Sequence, residues 1–231
     1  MAVPELLPSL APPALPWVTG VEMAGRCIPA SGDAGGDWYD VFSLPSGQMC
    51  AVVGDVTGHG PGVSAIMGRV RGALRACALV TADPAELLFR LNRMMLRFEP
   101  EITATVLCAV FDHGLGQVRI SSAGHLAPVL AFPGRPAQAA AIASDLLLGA
   151  SERGGRRVRC FAFPPGASLA LYTDGLVERR DRDIDEGIAL LCAATAGASA
   201  EAECTSVMAA MADDASPRDD ATLLMLRRQP A

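Results

Sequence analysis

The apolar positions of this chain change period along its length, and each change marks an element. A weakly patterned first strand runs from about Val18 to Pro29. Trp38 to Leu44 and Gln48 to Val56 are runs rich in β-formers, split by Pro45-Ser46-Gly47, which predicts strand, turn, strand. Met49-Cys50-Ala51-Val52-Val53 is apolar without interruption, as a strand covered on both faces would be. From Pro61 to Val80 the spacing becomes helical: Val63, Ile66, Met67, Val70, Leu74 and Leu79 recur on one stripe, with Arg69, Arg71 and Arg75 offset from it. Asp83-Pro84-Ala85-Glu86 then supplies an N-cap, a proline at the first helical position and an acid in the first turn, and predicts a second helix to about Phe98.

Strand signals resume at Thr103 to Phe111, turn at Asp112-His113-Gly114, and continue at Gln117 to Ser122, Pro128 to Phe132, Arg157 to Phe163 and Ser168 to Tyr172. Ile184 to Ala212 reads as two helices broken near Gly197, and Thr222 to Leu226 as a closing strand. Strands joined by short turns and interrupted by helix pairs favour an antiparallel α+β sandwich over a doubly wound parallel sheet.

Composition narrows the setting. The 231 residues suffice for one α+β domain with a sizeable core, expected over 18–231 after a Pro-rich lead-in at 1–17. Hydrophobic residues at 51% and charged residues at 19% are a globular balance. The net charge of −6 offers little to nucleic acid or an anionic membrane surface, so neither is expected as a partner. Every basic residue is Arg; none is Lys. Seven cysteines, mostly within apolar runs and without a Cys-x-x-Cys pair, read as buried free thiols in a reducing compartment. No apolar stretch approaches 18 residues and no signal-peptide pattern opens the chain, so a soluble, cytoplasmic protein is expected.

Four acidic motifs stand where strand-like runs end: Gly35-Gly36-Asp37-Trp38-Tyr39-Asp40, Val53-Gly54-Asp55-Val56-Thr57-Gly58-His59-Gly60, Tyr172-Thr173-Asp174-Gly175 and Asp219-Asp220-Ala221-Thr222. Taken singly, each acid reads as a turn or capping residue at least as well as a ligand. Carboxylates delivered together from distant segments, with glycine beside them, make a site for hard divalent cations. Two unit charges about 4 Å apart repel by roughly 4 kcal/mol at an effective dielectric near 20, so convergence implies cations. Competing motifs fail. Gly58-His59-Gly60-Pro61-Gly62 has Val63 where a dinucleotide fingerprint needs glycine, and no phosphate loop ending in Gly-Lys exists without lysine. His59, His113 and His125 show no zinc spacing, and no Gly-x-Ser-x-Gly elbow is present.

In order, these motifs resemble the SpoIIE-type (RsbU-like) branch of the PPM metal-dependent Ser/Thr protein phosphatases, related to type 2C. The resemblance runs from about Val18 to Arg228 and adds Ser122-Ala123-Gly124-His125-Leu126-Ala127-Pro128, Leu146-Leu147-Leu148-Gly149 and Leu171 to Glu178. It implies an αββα sandwich, two antiparallel sheets flanked by helix pairs. It implies two or more Mn²⁺ or Mg²⁺ ions, Asp55 bridging them, the Val56 carbonyl as a further ligand, Asp174 and Asp219 completing the pair, and Asp220 orienting water. Asp37 would be a further acid at the site, and Asp40 one that relatives can lack. Metal ligands would thus be Asp37, Asp55, Val56, Asp174, Asp219 and Asp220, with Asp37, Asp55, Asp174 and Asp219 catalytic. Water held between two such ions is acidic enough to attack phosphorus without a phosphoenzyme.

The activity implied is hydrolysis of phosphoserine or phosphothreonine on a protein, an anti-anti-sigma regulator of the STAS fold in a partner-switching pathway that controls sigma factors. A homodimer through 61–98 is also implied, as the segment by which relatives pair and switch. Type 2C enzymes of eukaryotes place Gly-His directly after the bridging Asp, whereas Val56-Thr57 intervene here, so no role carries over to His59. Arg26 is a candidate phosphate contact. The alternative reading is a catalytically weak binding module that holds a STAS or similar partner.

Overall fold

The computed structural model describes residues 14–30, 35–58, 60–179, 182–212 and 219–230. In chain order the elements are β1 (Val21–Ile28), β2 (Asp37–Ser43), β3 (Met49–Val56), α1 (Pro61–Cys77), α2 (Pro84–Phe98), β4 (Ala104–Phe111), β5 (Gln117–Ala123), β6 (Val129–Ala131), β7 (Gln138–Ala139), β8 (Arg159–Ala162), β9 (Ser168–Tyr172), α3 (Asp174–Val177), α4 (Ile184–Ala194), α5 (Ala200–Met211) and β10 (Ala221–Arg228). They form two five-stranded sheets, ordered β1-β10-β9-β6-β7 and β2-β3-β4-β5-β8, with every strand pairing antiparallel.

Alternation along the strands divides the apolar side chains into three layers. Tyr39, Val41, Ala51, Val53, Leu107, Leu169, Leu171 and Leu224 face inward and fill the space between the sheets. Their neighbours Trp38, Cys50, Val52, Val106 and Cys108 face outward and meet Met67, Val70, Leu74, Leu87, Leu91 and Met95 of α1 and α2. On the other sheet, Ala170, Tyr172, Leu223 and Met225 meet Leu191, Cys204, Val207 and Met211 of α4 and α5. The result is helices, sheet, sheet, helices, as the resemblance implies. Val52 and Val53 are both fully buried on opposite faces of β3, each stabilising by about 1.5–3 kcal/mol relative to exposure. That explains the unbroken apolar run.

Local signals account for the helix starts. Asp83 caps α2, accepting from the Ala85 and Glu86 amides at 2.9 and 3.0 Å, with Pro84 at the first helical position. Asp183 and Glu186 form a reciprocal capping box on α4. Two elements went unread in the sequence: the two-residue β7 and the one-turn α3, which begins at Asp174 where a plain turn was expected. All seven cysteines are free, but only Cys50, Cys108 and Cys204 are buried as expected; Cys27 and Cys160 are exposed, near the ends of β1 and β8, where the sheets are left uncovered. Among the described residues no helix is long and apolar enough to cross a membrane. His59, most of the 1–17 lead-in and Ser216-Pro217-Arg218 lie outside the described residues.

Candidate metal centre

The register of sheet pairing brings the acids together. Asp37 opens β2, Asp55 closes β3, and the two stand directly opposite one another in the ladder. Both share the parity of Tyr39 and Val53, so they lie on the inner face, at one open end of the sandwich. From the other sheet, β9 ends at Tyr172 beside the start of β10, where Leu223 pairs with Tyr172. This delivers Thr173 and Asp174 on one side, and Asp219 and Asp220 on the other, to the same end. Asp55 is close enough to Asp37 for a side-chain hydrogen bond and feels the charges of Asp174, Asp219 and Asp220. The six residues expected to hold metal therefore share one end of the molecule.

Hydrogen bonds tie this gathering across the two sheets. The Thr173 hydroxyl donates to Asp37 Oδ2 at 2.6 Å and accepts from the Thr222 amide at 2.9 Å. Asp220 Oδ1 accepts from the Ala30 amide at 2.9 Å, and Asp219 Oδ1 from the Asp220 amide at 2.9 Å. Asp174 Oδ1 accepts from the Gly175 amide at 3.0 Å. The Gly35-Gly36 pair makes room: a Cβ on Gly35 would lie 1.3 Å from Asp220 Oδ2, and one on Gly36 would lie 2.2 Å from the Val56 carbonyl oxygen and 2.9 Å from Asp55 Oδ1. Side chains at either position would fill the cradle that the carboxylates and the Val56 carbonyl surround.

Electrostatics follow from that crowding. Burial first, then the charges of Asp174, Asp219 and Asp220, push Asp55 up to about 7. Asp37 is pushed well above the usual carboxylate range, by burial and then by Asp55, Asp220 and Asp174, against the opposing bond from Thr173. Among the described residues no three acids are set closely enough to cage a single ion. The donor set is wholly oxygen, carboxylates plus one main-chain carbonyl, which suits Mg²⁺ or Mn²⁺ rather than a soft metal.

The model of the family described as Stage II sporulation protein E (SpoIIE) matches residues 45–229, the greater part of the chain. The chain belongs to the SpoIIE family. Among solved structures, the RsbU and RsbW domains of a Mycobacterium tuberculosis protein match with a TM-score of 0.84 and 28% identity, covering 96% of this chain and 64% of that one. The PP2C phosphatase domain and regulatory fragment of the cell fate determinant SpoIIE from Bacillus subtilis matches with a TM-score of 0.75 and 17% identity, covering 90% of this chain and 63% of that one. RsbX in complex with magnesium matches with a TM-score of 0.71 and 16% identity, covering 94% of this chain and 99% of that one. This chain thus spans less than two thirds of the first two. The family model shows SpoIIE membership, and the PP2C domain shares the fold.

Within this SpoIIE-family chain, the other residues singled out in the sequence take different places. Asp40, three positions from Asp37, points to the opposite face of β2, fully buried, and receives two bonds of 2.6 Å from the Arg75 guanidinium of α1. It anchors a helix and takes no part in the cluster. Arg26 is engaged by Glu201 of α5. His113 lies in the β4–β5 turn, beside Gly47 at the far end of the sheet from Asp55.

Two supporting residues carried no periodic signal. Thr173 is the link between the sheets described above. His125 is the other. Its Nε2–H donates to the Tyr172 carbonyl at 2.9 Å and its Nδ1 accepts from the Thr105 hydroxyl at 2.8 Å. A carbonyl only accepts, so the proton sits on Nε2 and the ring is neutral; burial pushes its pKa down to about 4. Thr105 stands opposite Asp55 in the ladder, and Tyr172 lies two residues before Asp174. The Ser122-to-Pro128 motif is therefore a brace between the two acid-bearing strand ends, reinforced by Tyr172 Oη donating to the Ala127 carbonyl at 2.9 Å and Ser122 Oγ to the His125 carbonyl at 2.8 Å.

Proposed function

We propose that this chain hydrolyses phosphoserine or phosphothreonine on a protein, with two or more Mn²⁺ or Mg²⁺ ions held by Asp37, Asp55, the Val56 carbonyl, Asp174, Asp219 and Asp220. The observation that carries this reading is the gathering of acids from both sheets at one end of the sandwich, with Asp55 pushed up to about 7. RsbX, a fold relative, was solved in complex with magnesium, which agrees with the cation class. Bound divalent ions would supply a water acidic at neutral pH and would offset phosphoryl charge.

The chain's own residues do the rest. Thr173 holds Asp37 in place, and with β10 it fixes the distance between sheets. Asp55 ends a strand buried on both sides, so its carboxylate is presented on a rigid support. Asp220, held by the Ala30 amide, would orient a water beside the cluster.

The proposed substrate is a phosphorylated anti-anti-sigma regulator of the STAS fold. The pairing of RsbU and RsbW domains in one solved relative agrees with a regulatory partner of this kind. Leu79, Val80 and Phe98 are exposed at the ends of α1 and α2, which is consistent with a homodimer through 61–98.

A phosphorylated STAS protein and p-nitrophenyl phosphate, each assayed with Mn²⁺, test the reading. Asp174→Asn and Asp219→Asn should abolish phosphate release from both while circular dichroism stays native. Full activity in either variant would refute the assignment. Tight STAS binding without phosphate release by the unaltered chain, at any metal concentration, would establish the binding module instead.

A further inference from the structure

A cavity of about 440 Å³ opens beside the end of β5, between Gly124 and Asp145–Leu147 on one side and Ser151 to Arg157 on the other. Its outer wall is basic. Residues 152–159 carry four arginines against one glutamate in a chain of net charge −6. Arg157 is already committed, its backbone amide and Nε both 2.7 Å from the Asp145 carboxylate and its Nη2 donating to the Ser144 carbonyl at 3.2 Å. Arg156 is half-buried, and its hydrogen bond goes to the Leu146 carbonyl, so a desolvated cation faces the cavity without a carboxylate bonded to it. Arg153 is exposed and makes no ion pair among the described residues. Gly154 and Gly155, between the two guanidiniums, have open space where a Cβ would stand, so a ligand can approach the backbone closely.

Position gives this wall a use. Asp145 bridges to Ala123, Ala123 pairs with Val106, and the next residue on β4, Thr105, stands opposite Asp55. Asp145 at the cavity is thus three strand spacings, about 14 Å, from the backbone of Asp55 on the same end of the sheet. An extended chain covers that distance in about four residues. A phosphoprotein with acidic residues near its phosphorylated side chain would be repelled by the aspartate cluster; at this spacing Arg153, without an ion pair among the described residues, and Arg156, which feels the Asp145 charge but makes no bond to it, offset that repulsion.

We propose that the cavity walled by Arg153 and Arg156 docks an acidic side chain of the phosphoprotein substrate, about four residues from the phosphorylated one. This rests on the phosphatase reading above and names its substrate preference. Nucleic acid is a poorer occupant, because a long polyanion would meet the acidic remainder of the surface.

The test uses two phosphoserine peptides, one with Glu and one with Ala about four residues to each side, and p-nitrophenyl phosphate as a substrate too small to reach the cavity. The unaltered chain with Mn²⁺ should prefer the Glu peptide by about five- to tenfold in kcat/KM, as one or two partly exposed charge pairs allow. Arg153→Glu/Arg156→Glu should erase or reverse that preference while leaving p-nitrophenyl phosphate turnover unchanged, which also reports an intact fold. A chain that hydrolyses p-nitrophenyl phosphate but does not favour the Glu peptide, or a double variant that keeps the preference, would overturn the proposal. Failure to hydrolyse any of the three substrates would instead refute the phosphatase reading and this inference with it.

Discussion

At the scale of single residues, the site depends on bonds that join segments far apart in the chain. Thr173 is the sharpest case. Its hydroxyl serves both Asp37 and the Thr222 amide, so Thr173→Val removes one bond from the Asp37 carboxylate and leaves the buried Thr222 N–H without its partner, the latter a cost of about 1–3 kcal/mol. Phosphatase turnover should fall at least about tenfold in Thr173→Val and be largely kept in Thr173→Ser, because misplacing one acid by a fraction of an ångström suffices.

His125 gives a pH signature. Its folded pKa of about 4 lies below its ordinary 6.5, so the unfolded chain takes up a proton first as pH falls. Stability contributed by the neutral ring is complete above about 6.5 and is lost progressively toward 4, by up to about 3 kcal/mol. Chemical denaturation of the unaltered chain and of His125→Gln, subtracted at each pH, should show the difference shrinking between pH 7 and 4; a difference independent of pH would refute the brace.

Neither residue was readable beforehand. Both sit inside motifs the sequence displayed, but their roles arise from contacts between sheets, and hydrophobic period carries no information about those. Asp40 illustrates the converse: three residues from Asp37 on a strand, it had to face the other way, and alternation alone separates the two.

At the scale of elements, strong local chemistry made most of the architecture legible. The unbroken apolar run of β3, the Asp83-Pro84 start of α2 and the Pro/Gly turn between β2 and β3 each have a physical cause confined to a few residues, and each stands where expected. The one-turn α3 and the two-residue β7 escaped because elements that short owe their existence to neighbours rather than to pattern.

The Arg75–Asp40 pair is a further element-scale device, clamping α1 to β2. Asp40 is wholly buried while Arg75 is partly exposed. Arg75→Met strands an ionised carboxylate in the core, and a loss of about 2–3 kcal/mol is expected by denaturant titration. Asp40→Asn/Arg75→Met together should cost less than the single Arg75 change, with Mn²⁺ binding unaffected in both. Loss of metal binding in the double variant would place Asp40 at the site after all.

At the scale of the whole molecule, the sandwich holds repelling charges together, and that tension should be measurable without any substrate. Asp55, ordinarily ionised far below neutrality, is raised to about 7, so at pH 8 its charge opposes folding when no cation is bound. Asp55→Asn should therefore stabilise the metal-free chain, by about 1–2 kcal/mol or a few °C in Tm. The unaltered chain should gain stability on adding Mn²⁺, by mass action, and the variant should gain little.

The convergence of these acids was an inference from motif order, since pairing register between distant strands cannot be read from spacing. Register opposes Asp37 to Asp55, and the meeting of β9 with β10 brings Asp174 beside Asp219 and Asp220. The most direct measurement is anomalous diffraction from crystals soaked in Mn²⁺. Two or more peaks lying among Asp55, the Val56 carbonyl, Asp174 and Asp219 are expected. Crystals of an active chain with no peak at that end, or with manganese bound elsewhere, would contradict the account.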